Sequence, residues 1–169
     1  MKVYHVKKAR KDYPEAGIKK GESYYWWKPR FWGVRRSKTY PSRQELTQSD
    51  FLCRVYDIED EIAEGIEVDI EDDPSEIESE IENWLRDIIS EIEELRDECE
   101  DKLYNMPEQL QDTSEAGILL QDRIDALDNW INDLESVDIS IDEDLSEEEL
   151  QDRVDEILEE IQSYGYMGA

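Results

Sequence analysis

Between Pro74 and Asn105 the apolar residues Ile77, Ile81, Trp84, Ile88, Ile92, Leu95, Cys99 and Leu103 follow one another at steps of three and four. That period matches the turn of an α-helix, so one face of a single long rod must find a partner. Leu85 and Ile89 widen the stripe. Asp73-Pro74 is a start signal, with Asp in the cap position and Pro at the first helical residue. At 1.5 Å per residue the helix over 74–105 is about 45 Å long.

Three further stripes flank it. Phe51, Leu52, Val55, Ile58, Glu59 and Ile62 predict a helix running to about Gly65, capped by Thr47, Ser49 or Asp50. Residues 66–73 read as an extended linker. Pro107 opens another helix whose stripe is Leu110, Leu120, Ile124, Leu127, Ile131 and Leu134, with Gly117 a soft point. Ser146 and Glu149 form a capping box for a last helix carrying Leu150, Val154, Ile157 and Ile161. Residues 163–169 read as a frayed tail. Val68-Asp69-Ile70 is echoed by Val137-Asp138-Ile139, which suggests two helix–linker–helix units or a chance likeness of two acidic loops. Stripes of this spacing also suit a coiled-coil seam, so a homodimer is one way to cover them.

The head of the chain differs. Residues 1–47 hold 13 of the 19 Lys and Arg against Asp12, Glu15, Glu22 and Glu45, whereas residues 48–169 hold the other 43 of the 47 acids. Val3–Val6 reads as a short strand. The β-prone run Tyr24, Tyr25, Trp26, Trp27, Lys28, Pro29, Arg30, Phe31, the turn Trp32-Gly33 and the alternation from Val34 to Tyr40 predict a hairpin over about 23–40. Pro29 confines one strand to an edge or a bulge. The expected fold is α+β and mainly α: a basic aromatic β-hairpin module, 1–47, joined to an acidic body, 48–169, of about four helices in a bundle or in helical hairpins.

Chemistry of the enzymatic kind finds little purchase. His5 is the single histidine and has no positioned nucleophile; Cys53 and Cys99 lie on separate helices and read as small core residues. Neither GxxxxGK[ST] nor GxGxxG occurs, and carboxylates are too numerous for spacing to select an acid/base pair. Asp138, Ser140, Asp142, Asp144, Ser146 and Glu149 fall in the register of a calcium loop, but Glu143 stands where its sharp turn needs glycine. The expectation is a non-enzyme with no cofactor and no resident metal. Two cysteines outside any CxxC fit a reducing cytosol, the N-terminus lacks a signal-peptide core, and no apolar run spans a membrane.

What remains is interaction. The polar faces of the long helix are almost purely acidic, and Arg86, Arg96 and Lys102 stand nearly alone among them. Opposite charges four apart would stabilise such a helix, so their scarcity suggests that the negative field is useful. Glu80, Asp87, Glu91, Glu94 and Glu98 are the candidate partner-binding face. In the head, Trp26, Trp27, Lys28, Arg30, Arg35 and Arg36 interleave rings with cations, which suits nucleic acid or a partner surface. The same tryptophans suit the core of a small sheet, with the cations on its solvated face or paired to acids.

Two stretches, GIKKGESYYWWKPRFWGVRRSKTYPSRQELTQSDF (17–51) and ECEDKLYNMPEQLQD (98–112), resemble a family of uncharacterised proteins carried by bacteriophages and prophages. The resemblance implies a phage setting inside a host bacterial cell and carries over no site residue. The acidic body is similar in character to phage DNA-mimic proteins that block host restriction or CRISPR nucleases. Two functions follow as expectations. In the first, an acidic helical surface mimics DNA and inhibits a host DNA-binding or defence protein. In the second, the basic aromatic hairpin is a small nucleic-acid-binding module that the acidic helices regulate or dimerise.

Overall fold

The computed structural model describes residues 1–30 and 33–168. Phe31, the end of the β-prone run, and Trp32, the first residue of the expected Trp32-Gly33 turn, lie outside the described residues. The chain is α+β and mainly helical, and it divides into two units, Met1–Tyr56 and Asp57–Ala169. Charge alone changes sign earlier, at 47/48; the division falls inside a helix.

In the first unit, strands β1 (Val3–Val6), β2 (Tyr24–Trp27) and β3 (Arg35–Ser37) form one antiparallel sheet in the order β1-β2-β3. The register sets Tyr4 opposite Trp26 and Trp26 opposite Arg36. Alternation then sends Tyr24 and Trp26 to one face and Tyr25 and Trp27 to the other. The first face is covered by the β1–β2 connection, where Ala9, Ile18 and Tyr24 make a small core with Val6, Tyr13, Ala16 and Trp26 around it. That connection reverses at a single 3-10 turn over Pro14–Ala16, which ends on Gly17 at φ 64°. Only glycine enters that left-handed region without strain. Trp27, on the other face, is 1% exposed. It is therefore a core residue and is withdrawn from the candidate contact surface.

A one-turn helix escapes the sequence reading. Helix α1 (Arg43–Leu46) is closed by a capping box between Ser42 and Glu45. Helix α2 (Asp50–Glu64) follows, with Ser49 Oγ accepting the Leu52 N–H at 3.3 Å. Arg43 lies over the Tyr56 ring at 4.6 Å, and Cys53 Sγ donates to the Gln44 carbonyl, so Cys53 is half-buried rather than a full core residue.

In the second unit, α3 (Pro74–Tyr104) turns back through α4 (Glu108–Gln111) into α5 (Glu115–Glu135), and α6 (Glu147–Ser163) follows. Ile77, Ile81, Leu85, Ile88, Ile92, Leu95 and Cys99 are buried on α3, as are Leu127, Trp130, Ile131 and Leu134 on α5 and Leu150, Val154, Ile157 and Ile161 on α6. Trp84 and Leu103 are only half-buried: Trp84 lies about 50° round from the centre of the seam, and Leu103 lies beyond Cys99, the last buried residue of α3. Asp73 occupies the cap position of α3, but its carboxylate makes no capping bond.

The helix expected from Pro107 to Leu134 is interrupted. Ser114 ends the α4 turn by donating to the Leu110 carbonyl and opens α5 by accepting the Gly117 N–H at 3.0 Å. Leu110 consequently leaves the stripe and is 47% exposed. Gly117 is no soft point. A Cβ there would strike the Gln111 carbonyl and come within 2.6 Å of the Leu110 carbonyl, so the turn closes only over glycine. The tail is likewise more ordered than expected. The Tyr166 ring lies 6.4 Å from that of Trp130, and burial pushes its hydroxyl up to about 12.

The sequence echo has a structural counterpart. Asp69 Oδ1 accepts the Glu71 N–H at 3.0 Å, and Asp138 Oδ1 accepts the Ser140 N–H at 3.1 Å. Each linker thus turns on the same aspartate position of its Val-Asp-Ile triplet.

Candidate interaction surfaces

Glu80, Asp87, Glu91, Glu94 and Glu98 are all exposed on α3. At 100° per residue they fall within an arc of about 60°, centred about 100° round from the buried seam. The line climbs about 27 Å from Glu80 to Glu98. Arg86 and Arg96 lie on the other flank of the helix. Arg86 pairs with Glu82 at 2.7 Å, and Arg96 is held by Asp97 at 3.0 Å and by Asp128 of α5 at 3.4 Å. Lys102 pairs with Glu98 at 3.5 Å. Arg153 of α6 is spent on the 138–141 linker, donating to the Asp138 carbonyl at 2.8 Å and the Ser140 carbonyl at 3.2 Å.

Two residues join this line that the sequence reading did not select. Glu61 of α2 has its carboxyl pushed up by partial desolvation, then by Glu91 and Asp87 of α3, and by Glu64. The carboxylates of α2 and α3 thus repel one another across the two helices. The signal was present in sequence as Asp57, Asp60, Glu61 and Glu64 at helical spacing, but the proximity of α2 to α3 was not.

In the head, the four acids are used locally. Glu15 meets Arg36 at 3.5 Å, and Glu22 meets Lys38 at 3.1 Å. The Lys19 N–H and then the Lys38 ammonium hold the Glu22 carboxyl below its ordinary range. Asp12 accepts the Lys20 N–H and Glu45 serves the α1 cap. Arg36 also covers the Tyr13 ring at 4.2 Å, which gives it a structural role. Lys28, Arg30 and Arg35 are exposed. Half-buried Trp26 stacks on Tyr4 at 4.5 Å and 13°, and His5 stacks on Tyr25 at 4.7 Å. His5 is thus an aromatic partner on the sheet.

The stretch in calcium-loop register is organised by protein groups. The Ser140 hydroxyl and then its N–H hold the Asp138 carboxyl below its usual range, and the Ser146 hydroxyl and N–H do the same to Glu149. Among the described residues no group of three or more His, Cys, Asp or Glu converges as metal ligands would. No helix among them is long and apolar enough to cross a membrane.

No protein-family model, curated protein or solved structure matches this chain.

Proposed function

We propose that this is a non-enzymatic, phage-type protein whose acidic helical body occupies the DNA-binding surface of a host DNA-binding or defence protein. The observation that carries the reading is the exposed carboxylate line Glu80–Glu98, with the arginines of α3 on the opposite flank and Glu61 and Glu64 adding to its charge. From Asp87 to Glu98 the carboxylates recur every three or four residues, a rise of about 5 Å each. Duplex DNA carries a charge every ~3.4 Å along each strand. The row is sparser than phosphate, so the resemblance is one of field more than of atom-for-atom spacing. A basic cleft shaped for DNA would be drawn to it, and salt would weaken the complex steeply.

The test is affinity capture from bacterial lysate on the immobilised protein, followed by elution with duplex DNA. The reading expects DNA-binding proteins to be captured and displaced by DNA. It expects the variant carrying Glu80→Lys, Asp87→Lys, Glu91→Lys and Glu94→Lys to capture none of them. Capture that survives the reversal removes this surface from the account.

A second reading has its own observation. The 13 bases of residues 1–47 outnumber four acids already engaged in ion pairs, turns and caps, and Tyr40 stands 62% exposed beside Tyr25. Such a surface suits single-stranded nucleic acid, with rings stacking on bases. In that case the head is the working end and the body tunes it.

A further inference from the structure

The apolar seam between α3 and α5 runs on beyond the residues buried in the body. Past Cys99 on one helix and before Leu127 on the other, Leu103 and Ile124 are only half-buried, Ile118 is 45% exposed, and Tyr104 is 85% exposed. Together with Gln111 and Gln121, Leu103, Tyr104 and Ile124 line a groove of about 480 Å³. Two carboxylates share its lining, Glu100 from α3 and Asp125 from α5, and both residues are exposed. The bases nearest in sequence are engaged elsewhere: Lys102 pairs with Glu98, and Arg123 acts on the Tyr166 hydroxyl. An apolar floor with an acidic rim differs from the carboxylate line on α3, which offers no apolar anchor point.

We propose that this groove at the tip of the α3–α5 hairpin docks a cationic amphipathic segment of a partner protein, with an aliphatic or aromatic side chain in the groove and Lys or Arg against Glu100 and Asp125. The inference rests on the proposed reading of the body as a protein-binding surface and adds the chemistry of the partner. Charge chooses this occupant. A second copy's tip would bring the same acidic rim and be repelled. A second copy's head is basic, but there Tyr4 is stacked on half-buried Trp26, and Tyr40 meets Tyr25 edge-on; sedimentation separates that occupant from a partner protein. Burying a ring such as Tyr104 at the centre of an interface is the kind of contact that dominates affinity, while the rim charges fix orientation and on-rate.

Two fluorescein-labelled helical peptides test this on the full chain: one of lysine and leucine at amphipathic spacing, the other with every leucine replaced by serine. The lysine–leucine peptide is expected to bind at least about tenfold tighter. Tyr104→Ala should weaken it roughly tenfold and leave the lysine–serine peptide unchanged. Tyr104 is too exposed for this change to disturb folding. Equal affinity for the two peptides, or indifference to Tyr104→Ala, overturns the groove. If at the same time reversal of Glu80, Asp87, Glu91 and Glu94 abolishes partner capture, the wider reading of the body stands without it. Sedimentation showing a wild-type dimer that Tyr104→Ala dissolves would also overturn the assignment, in favour of self-association.

Discussion

Arg96 on α3 donates to Asp128 on α5 at 3.4 Å while Asp97 and Glu93 crowd the same guanidinium at 3.0 and 3.8 Å. One cation therefore serves three carboxylates across the central helical hairpin. Asp97 above all, and then Asp128, raise its pKa, so the charge is fixed at any working pH. Replacing Arg96 by Met keeps much of the aliphatic stem and leaves three acids facing one another. Because the pairs are partly exposed, the loss should be only about 1 kcal/mol, or a fall in Tm of about 3 °C. Melts at low and high salt check it: high salt should close most of the gap, and an unchanged Tm at low salt would show that the pair holds nothing.

The pH profile should have two limbs. The folded-state pKa of Glu61 is raised, so its contribution is full below its ordinary value near 4.5 and is lost as pH rises through the raised value. Asp138 and Glu149 are lowered, so theirs is present above 3.8 and 4.5 and is lost as pH falls through their depressed values. Stability should rise as pH falls through the raised Glu61 value toward 4.5 and fall again as pH drops through the depressed values of Asp138 and Glu149. Glu61→Gln should raise Tm at pH 7 and flatten the upper limb. A lower Tm in that variant would mean that Glu61 is paired.

Ile88 and Leu127 are 1% and 0% exposed. Ile88→Asp or Leu127→Asp should cost about 4 kcal/mol or more, enough to unfold the body. Glu94→Gln should leave the transition within about 0.5 kcal/mol. Glu78 is a different acid, since its carboxylate accepts the Ile141 N–H at 3.0 Å. Glu78→Gln keeps an acceptor and should be mild, whereas Glu78→Ala should cost about 1 kcal/mol. Denaturant melts of the five variants separate these outcomes.

Much of this architecture is legible in sequence because helical stripes and caps are local. The bounds of α3 and α6, the Ser146–Glu149 box and the two aspartate-led linkers need only neighbours along the chain. Which faces of β2 become covered depends on the rest of the fold, which is why Trp26 and Trp27 read alike although alternation sends them to opposite faces. The interruption at Ser114 was hidden because Leu110 continues the stripe in sequence even though its helix stops one residue later. Glu61 was missed for a similar reason: its repulsion by Asp87 and Glu91 exists only once α2 has folded near α3.

Gly117→Ala tests that interruption. The added methyl meets two backbone carbonyls, which cannot swing aside as a side chain would. A loss of about 1–3 kcal/mol is expected, with amide exchange quickening across 107–118 first. Protection there equal to wild type would show that the α4 turn does not depend on the close approach.

The claim at the centre is that the working surface is the acidic body. A titration of labelled single- and double-stranded DNA with three proteins tests it: the intact chain, the α3 reversal (Glu80, Asp87, Glu91 and Glu94 to Lys), and a head variant with Lys28→Glu, Arg30→Glu, Arg35→Glu and Tyr40→Ser. The account predicts no tight DNA binding by the intact chain at moderate salt and little change on altering the head. Tight binding by the intact chain, abolished by the head changes and kept or strengthened by the α3 reversal, would contradict it.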